Sequence, residues 1–137
     1  MSLRISLLFA TGAVALLGSA SAEQVTRSPT AQQELAKALA GRVAGEPMDC
    51  INDFRSQIRM KVIDDNTLIF GGGNVVYVQN PPGGCANISN KTNALTTRRS
   101  STNQLCAGDI NQVVQPSSGI FRGSCAFGPF VPYRKGS

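Results

Sequence analysis

Hydrophobic and polar residues alternate along much of the chain, a pattern typical of β-strands. In QIRMKVI, residues 57–63, Ile58, Met60 and Val62 alternate with Gln, Arg and Lys. The two sets therefore lie on opposite faces of a strand, one of them facing water. The polar segment DDNT that follows, residues 64–67, then turns the chain.

Five more segments favour strands because they are rich in β-branched, aliphatic or aromatic residues and are bounded by turn formers. They are Leu68–Phe70, Asn74–Gln79, Ala94–Arg99, Ile110–Gln115 and Ile120–Phe127. Short strands at this spacing predict a mainly β fold, an antiparallel sheet curled into a small barrel or sandwich. Pro129 and Pro132 restrict pairing, so we expect the tail, residues 128–137, to run along a sheet edge or to cover one.

The segment SPTAQQELAKALAGR, residues 28–42, predicts a short N-terminal helix. Thr30 can cap its start, with Gln33 at the reciprocal position of a capping box, and Gly41 can end it. The apolar stripe on this helix is narrow, because it contains only Leu35, Leu39 and Val43.

We divide the chain on this basis. Residues 23–45 are interpreted as a polar tether whose short helix docks on the domain or on a partner, and residues 46–137 as the β-rich domain.

The first 22 residues have the pattern of a secretory signal peptide. Arg4 precedes an apolar run, Ile5–Leu17, that is too short to span a bilayer core of about 30 Å, and Ala20-Ser21-Ala22 fits a cleavage site. We therefore expect cleavage near Ala22 and a periplasmic or secreted mature protein without a membrane span.

The cysteines predict two disulfides, because an even number in a small exported chain is typical of a disulfide framework. The four residues are Cys50, Cys85, Cys106 and Cys125. Spacing alone leaves three pairings open, and each bridge typically stabilises such a domain by about 2 to 4 kcal/mol. We favour Cys50 with Cys106 and Cys85 with Cys125, since that joins the first strand region to the last ones.

The residue types limit the possible chemistry. The chain has no histidine and no C-x-x-C spacing, so we expect no Ser-His or Cys-His nucleophile pair, no metal site and no cofactor. A histidine-free hydrolase would have to use Asp64, Asp65 or Asp109, with a raised pKa in a concave site. Asp64 and Asp65 stand in a turn-forming segment, which favours a structural role.

Three consecutive glycines, Gly71–Gly73, form the one segment that resembles a phosphate-binding loop. Such a loop needs a following helix or a lysine that reaches the anion, and NVVYV instead favours a strand. We therefore predict a hairpin turn in which glycine supplies positive φ.

The formal charge of +5 favours association with anionic surfaces or polymers. A possible anion-binding face comprises Arg59, Lys61, Arg98, Arg99 and Arg122, provided that their strands lie side by side. Tryptophan is absent and aromatic residues are few, so we expect no specific nucleic-acid binding.

Two glycosylation triplets, Asn87-Ile88-Ser89 and Asn90-Lys91-Thr92, follow one another. They would matter only in a cell that glycosylates exported chains. Their polar composition predicts an exposed loop.

Four motifs together resemble those of a family of small exported bacterial proteins without an assigned function. They are DCIN (49–52), IDDNTLIF (63–70), NQLCAGDI (103–110) and GSCAFGPFVPY (123–133). The resemblance covers residues 45–133 and implies a disulfide-containing, β-rich, periplasmic or secreted domain. It carries over no catalytic residue, and the long glycine run is a local departure from the family pattern.

We therefore expect a non-enzymatic envelope protein that binds an unknown envelope protein or an anionic polymer. The alternative is an inhibitor of an extracytoplasmic hydrolase that presents the loop NPPGGC, residues 80–85.

Overall fold

A computed structural model describes residues 26–52 and 58–136. The predicted signal peptide, the start of the tether and Gln57 lie outside these residues. The described part contains helix α1 (Pro29–Leu39) and ten strands. They are β1 (Arg42–Ala44), β2 (Cys50–Asn52), β3 (Met60–Asp64), β4 (Thr67–Gly72), β5 (Val75–Gln79), β6 (Ala94–Arg98), β7 (Gln104–Cys106), β8 (Ile110–Gln115), β9 (Ile120–Ala126) and β10 (Phe130–Lys135).

The strands form three antiparallel sheets. The largest has the order β1-β10-β5-β4-β3, a second has the order β6-β8-β9, and β2 pairs with β7. This arrangement confirms the predicted mainly β, antiparallel fold in its sandwich form, since the described strands close no barrel.

Helix α1 begins two residues earlier than the capping pattern predicts. Ser28 is the N-cap, and its Oγ accepts a hydrogen bond of 3.2 Å from the backbone N–H of Ala31. The expectation that Thr30 caps the helix is wrong, because Pro29 suits the first helical position and leaves Ser28 in front of it.

Helix α1 packs on one face of the five-stranded sheet, which we call the helix face. Ala31 is buried there, and Leu35, Ala38 and Leu39 are half-buried. They lie against a cluster formed by Ile63, Ile69, Val76 and Val78, with Tyr133 beside it. The helix therefore docks on the β-rich domain of its own chain. The segment interpreted as a tether, residues 23–45, contains both α1 and β1.

The opposite face of the five-stranded sheet, which we call the phenylalanine face, holds the larger core. Three aromatic rings meet edge to face, with centroids 5.6 Å apart for Phe70 and Phe127, 5.9 Å for Phe70 and Phe130, and 5.5 Å for Phe127 and Phe130. The smaller sheets cover them, and the rest of this cluster comprises Ile51, Leu68, Cys85, Ile88, Leu105, Val113 and Cys125. Because both faces of β4 are covered, its residues Thr67–Phe70 are all buried.

The C-terminal segment is central, which corrects the expectation of an edge or a cover. Strand β10 pairs with β5 on one side and with β1 on the other. Proline has no backbone N–H to donate. At Pro132 the missing donor lies on the same side of the strand as the Pro132 carbonyl, which accepts from the Gly45 N–H at 2.7 Å. That side faces the chain beyond the end of β1 at Ala44, so the ladder loses no bond within β1.

The favoured disulfide pairing is confirmed. Cys50–Cys106 joins β2 to β7 at directly opposed positions, and Cys85–Cys125 joins the loop after β5 to β9.

The glycine run is a hairpin turn, as predicted. Gly72 pairs with Val75, so Gly73 and Asn74 form a two-residue loop between β4 and β5. Gly73 has a φ of +65° and Asn74 does not have a positive φ, which is the pattern of a type II′ turn.

Candidate functional site

Asp109 is buried and holds the segment between β6 and β8. Its carboxylate accepts from the Ser100 N–H at 2.8 Å, the Ser100 hydroxyl at 2.7 Å and the Cys106 N–H at 2.8 Å. Burial by itself would raise the pKa of Asp109, but these hydrogen bonds, with the charge of Arg99, lower it below its ordinary value. The carboxylate is therefore a fixed hydrogen-bond acceptor.

Asp65 has the same role at the turn between β3 and β4. It accepts from the backbone N–H of Ser89 at 2.8 Å and of Asn87 at 3.2 Å. Burial would raise the pKa of Asp65, but the bonds from the Ser89 backbone and hydroxyl and from the Asn87 backbone lower it. Neither Asp65 nor Asp109 thus has the raised pKa that the hydrolase hypothesis requires.

Asp64, the third carboxylate of that hypothesis, is engaged on both oxygens. One oxygen accepts from the Asn66 N–H at 2.9 Å, and the other lies 3.6 Å from the Arg27 Nε. Asp64 therefore closes the turn and anchors the chain before α1.

The five predicted anion-binding residues are divided between two sheets. Arg59 and Lys61 stand before and on β3, which pairs with β4, whereas Arg98 and Arg99 stand at the end of β6 and Arg122 on β9. Lys61 lies 3.4 Å from Glu34 of α1, and Arg122 donates to Gln115 at 2.6 Å. Since β3 is not a neighbour of β6 or β9, hydrogen-bonded pairing does not make one stripe, and a shared anion-binding surface remains a prediction.

Arg59 also lines a shallow depression of about 320 Å³ beside the glycine turn, together with Ile58 and Gly71–Gly73. The Gly71 N–H donates to the Arg59 carbonyl at 2.9 Å, so that amide is already used within the chain. The glycine run thus forms one wall of a basic depression without being a phosphate cradle.

The loop proposed for inhibition, residues 80–85, is held against the domain. The Gly84 N–H donates to the Pro81 carbonyl at 2.8 Å, and the Cys85 N–H donates to the Asp65 carbonyl at 2.6 Å. Asn80, Pro82 and Gly83 are exposed, whereas Pro81 and Cys85 are buried, so the exposed tip of the loop is limited to Pro82 and Gly83.

A polar cleft of about 390 Å³ lies beside β3 and is the site that sequence reasoning missed. Three separate segments line it: α1, β3 and residues 87–93, which we call the asparagine loop. The lining residues are Glu34, Val62, Ile63, Ile88, Ser89, Asn90, Lys91 and Asn93. The glycosylation triplets indicated an exposed loop here, but no local pattern joined that loop to Glu34 or to Val62.

Hydrogen bonds within the asparagine loop fix its shape. The Asn90 Oδ1 accepts from the Thr92 N–H at 3.0 Å and from the Thr92 hydroxyl at 2.8 Å. The Asn93 Nδ2 donates to the Asn87 carbonyl at 2.8 Å, and the Asn87 Nδ2 donates to the Arg122 carbonyl on β9 at 2.9 Å. Asn87 has a φ of +67°, a conformation that asparagine tolerates better than most residues.

The Asn93 amide leaves one polar atom unused. Its Oδ1 is buried and has no hydrogen-bond partner in the described part of the chain. A buried acceptor without a donor costs about 1 to 3 kcal/mol, so the Asn93 amide is incompletely satisfied by the described chain.

Comparison with known proteins leaves the class of the protein open. No family model matches the sequence, and no curated protein or solved structure matches it either. The resemblance to small exported bacterial proteins therefore stays a prediction. Within residues 26–52 and 58–136, no helix has the length and apolar character to cross a membrane, and no group of three or more His, Cys, Asp or Glu could hold a metal ion.

Proposed function

We propose that this protein is an exported, non-enzymatic β domain that binds an anionic component of the cell envelope. The observation that supports this proposal is the excess of positive side chains over the ion pairs that they form in the described part of the chain. In the described part of the chain, ion pairs join Arg27 to Asp64 and Lys61 to Glu34. The carboxylates of Asp65 and Asp109 accept hydrogen bonds from backbone amides and keep their negative charge, so the positive excess is that of 13 Lys and Arg over 8 Asp and Glu.

Among residues 26–52 and 58–136, the exposed cations that form no ion pair stand on several different elements. They include Lys37, Lys91, Arg98, Arg134 and Lys135. A distributed excess of this kind favours a polymer or a surface that presents repeated negative charge, because such a partner engages several cations at once.

Two further observations support export and a binding role. The paired cysteines suit an oxidising compartment, and the N-terminal pattern predicts cleavage near Ala22. The three carboxylates weighed as catalytic groups are all committed to turns and loops.

The test is binding of the mature protein, residues 23–137, to polygalacturonate, with neutral dextran as the control polymer. We expect binding to polygalacturonate at low salt that weakens at least about tenfold at about 0.15 M salt, because exposed charges are then screened beyond about 8 Å. Equal retention on dextran, or no binding at low salt, would overturn the proposal. Crosslinking in the native envelope that yields a protein adduct in place of an anionic polymer would also overturn it.

A further inference from the structure

The cleft between α1, β3 and the asparagine loop has the features of a small-ligand site. We propose that it binds one uronic acid unit, a sugar ring that carries a single carboxylate. This inference rests on the proposed function and deepens it, because it assigns one specific site to an otherwise distributed attraction.

The charges of the cleft favour a ligand with one negative charge. Lys91 is exposed and forms no ion pair with the described residues. Glu34, the acidic residue of the lining, lies 3.4 Å from Lys61 and is balanced by it. One unbalanced cation matches the single negative charge of a carboxylate.

The hydrogen-bonding groups of the cleft favour a hydroxylated ligand. The Asn93 Oδ1 lacks a donor, and its orientation is fixed because the Nδ2 of the same amide is bonded to the Asn87 carbonyl. The Asn90 Oδ1 is held by Thr92, and the Asn90 Nδ2 donates to no described residue. The Asn93 Oδ1 has almost no exposed surface, so the polar group that the cleft offers to a ligand is the Asn90 Nδ2, which can donate to a sugar hydroxyl.

The apolar part of the cleft suits the C–H face of a ring. Val62 is half-buried, and Ile63 and Ile88 are buried, so that aliphatic surface lies beside the polar groups. The volume of about 390 Å³ lies at the lower end of the range for small-molecule sites, about 300 to 1,000 Å³. It therefore suits one or two sugar rings.

The asparagine loop is already ordered by the chain, which reduces the entropy lost on binding. Asp65 holds the Asn87 and Ser89 amides, and the Asn93 N–H donates to the Asn90 carbonyl at 2.9 Å. The nearby disulfide, Cys85–Cys125, fixes the start of the same segment.

The experiment is an NMR titration of the ¹⁵N-labelled mature protein with galacturonic acid, with galactose as the uncharged match. We expect galacturonic acid to shift the amide signals of residues 62–63 and 88–93, and galactose to bind at least about tenfold more weakly, since it lacks the charge-assisted bond.

Lys91→Gln should weaken galacturonic acid binding about tenfold. Lys135→Gln removes an equal charge outside the cleft, so it should leave galacturonic acid binding unchanged, whereas it should weaken polygalacturonate binding because Lys135 is one of the exposed cations. Each variant is also tested on polygalacturonate. Lys91 is exposed, and the dispersion of the amide spectrum verifies that the variant is folded.

The outcomes separate the two proposals. The cleft proposal fails, and the proposed function stands, if the polymer binds but galacturonic acid shifts no amide signal at the cleft. It also fails if Lys91→Gln and Lys135→Gln weaken galacturonic acid binding equally. Equal binding of galactose overturns the assigned role of Lys91. If no anionic polymer binds, the proposed function fails, and binding of galacturonic acid alone would then leave the cleft as an independent sugar site.

Discussion

The two faces of the five-stranded sheet are covered by different means. On the phenylalanine face, two smaller sheets bury three aromatic rings, and both disulfides join the elements that cover them. On the helix face, the cover is the single helix α1 of 11 residues. The difference teaches that one face is stabilised by apolar area and covalent links, whereas the other depends more on polar contacts.

Those polar contacts stand at both ends of α1. Before the helix, the Arg27 Nη2 donates to the Thr67 Oγ1 at 2.6 Å. After it, Arg42 donates from Nε to the Ala38 carbonyl at 3.1 Å and from Nη2 to the Gly73 carbonyl at 2.8 Å. Arginine at these positions ties the helix to the sheet where its narrow apolar stripe ends.

The largest effect is expected at the centre of the phenylalanine face. Phe130 is fully buried, so Phe130→Ala should lower the free energy of unfolding by about 3 to 5 kcal/mol. The matched control, Phe121→Ala, removes a ring that is 58% exposed. It should change the free energy of unfolding by no more than about 0.5 kcal/mol. Urea titration followed by circular dichroism measures both, and equal losses would contradict the division between the faces.

The second prediction concerns the buried disulfide. Replacing Cys85 and Cys125 by alanine should cost about 3 kcal/mol or more, because the unfolded chain gains freedom and the core loses two buried sulfurs. The matched variant replaces Cys50 and Cys106, whose sequence separation of 56 against 40 gives nearly the same chain-entropy contribution. Cys50 is only half-buried, so that variant should lose less stability. The reverse order of melting temperatures would contradict the importance of burial.

Asp109 provides a third, pH-dependent prediction on the same side of the molecule. Asp109→Asn should cost about 2 kcal/mol near neutral pH, since hydrogen bonds to a charged acceptor are the stronger kind. Because folding lowers the pKa of Asp109 below 3.8, its contribution is present above that value and is lost as the pH falls through the folded pKa. Stability measured from pH 7 to about pH 3 should therefore fall less steeply in the variant than in the unmodified protein. Asp49→Asn, at an exposed position, is the control and should retain the steeper fall.

The smallest effect is expected on the helix face. Leu35 is half-buried, so Leu35→Ala should cost about 1 kcal/mol. Hydrogen exchange should accelerate in α1 and much less in β4 and β5, since a thin cover opens locally. Gln33→Ala, on the exposed side of α1, is the control. Equal acceleration in the strands would show that the two faces unfold together.

Six of the ten described strands, β3 to β6, β8 and β9, could be predicted because their signals are local, whereas β1, β2, β7 and β10 were not predicted as strands. Alternation and turn residues located β8 at Ile110–Gln115 and placed β9 within one residue of its observed end. The disulfide pairing followed from joining early strands to late ones, which the antiparallel pair β2 and β7 bears out. The sequence of α1 alone could not show where the helix docks. Its apolar stripe is narrow, and the surface that it packs on includes Ile69 and Val78 of the sheet, which are distant in sequence.

The remaining differences have non-local causes. Pro132 indicated an edge because the missing N–H is costly inside a sheet, but the missing bond falls opposite Gly45, just beyond the end of β1 at Ala44. The cleft could not be predicted, since Glu34, Val62 and Asn93 come from three distant segments that only the fold brings together.

The central position of β10 has a consequence for the order of assembly. Strands β1 and β5 are joined to each other only through β10, so the described part of the large sheet cannot close until residues 130–135 are available. While the chain is being made, β3, β4 and β5 can pair with one another, but β1 has no strand partner until β10 follows. A truncation before Phe130 would therefore remove the strand that links β1 to β5 and leave β1 unpaired in the described sheet.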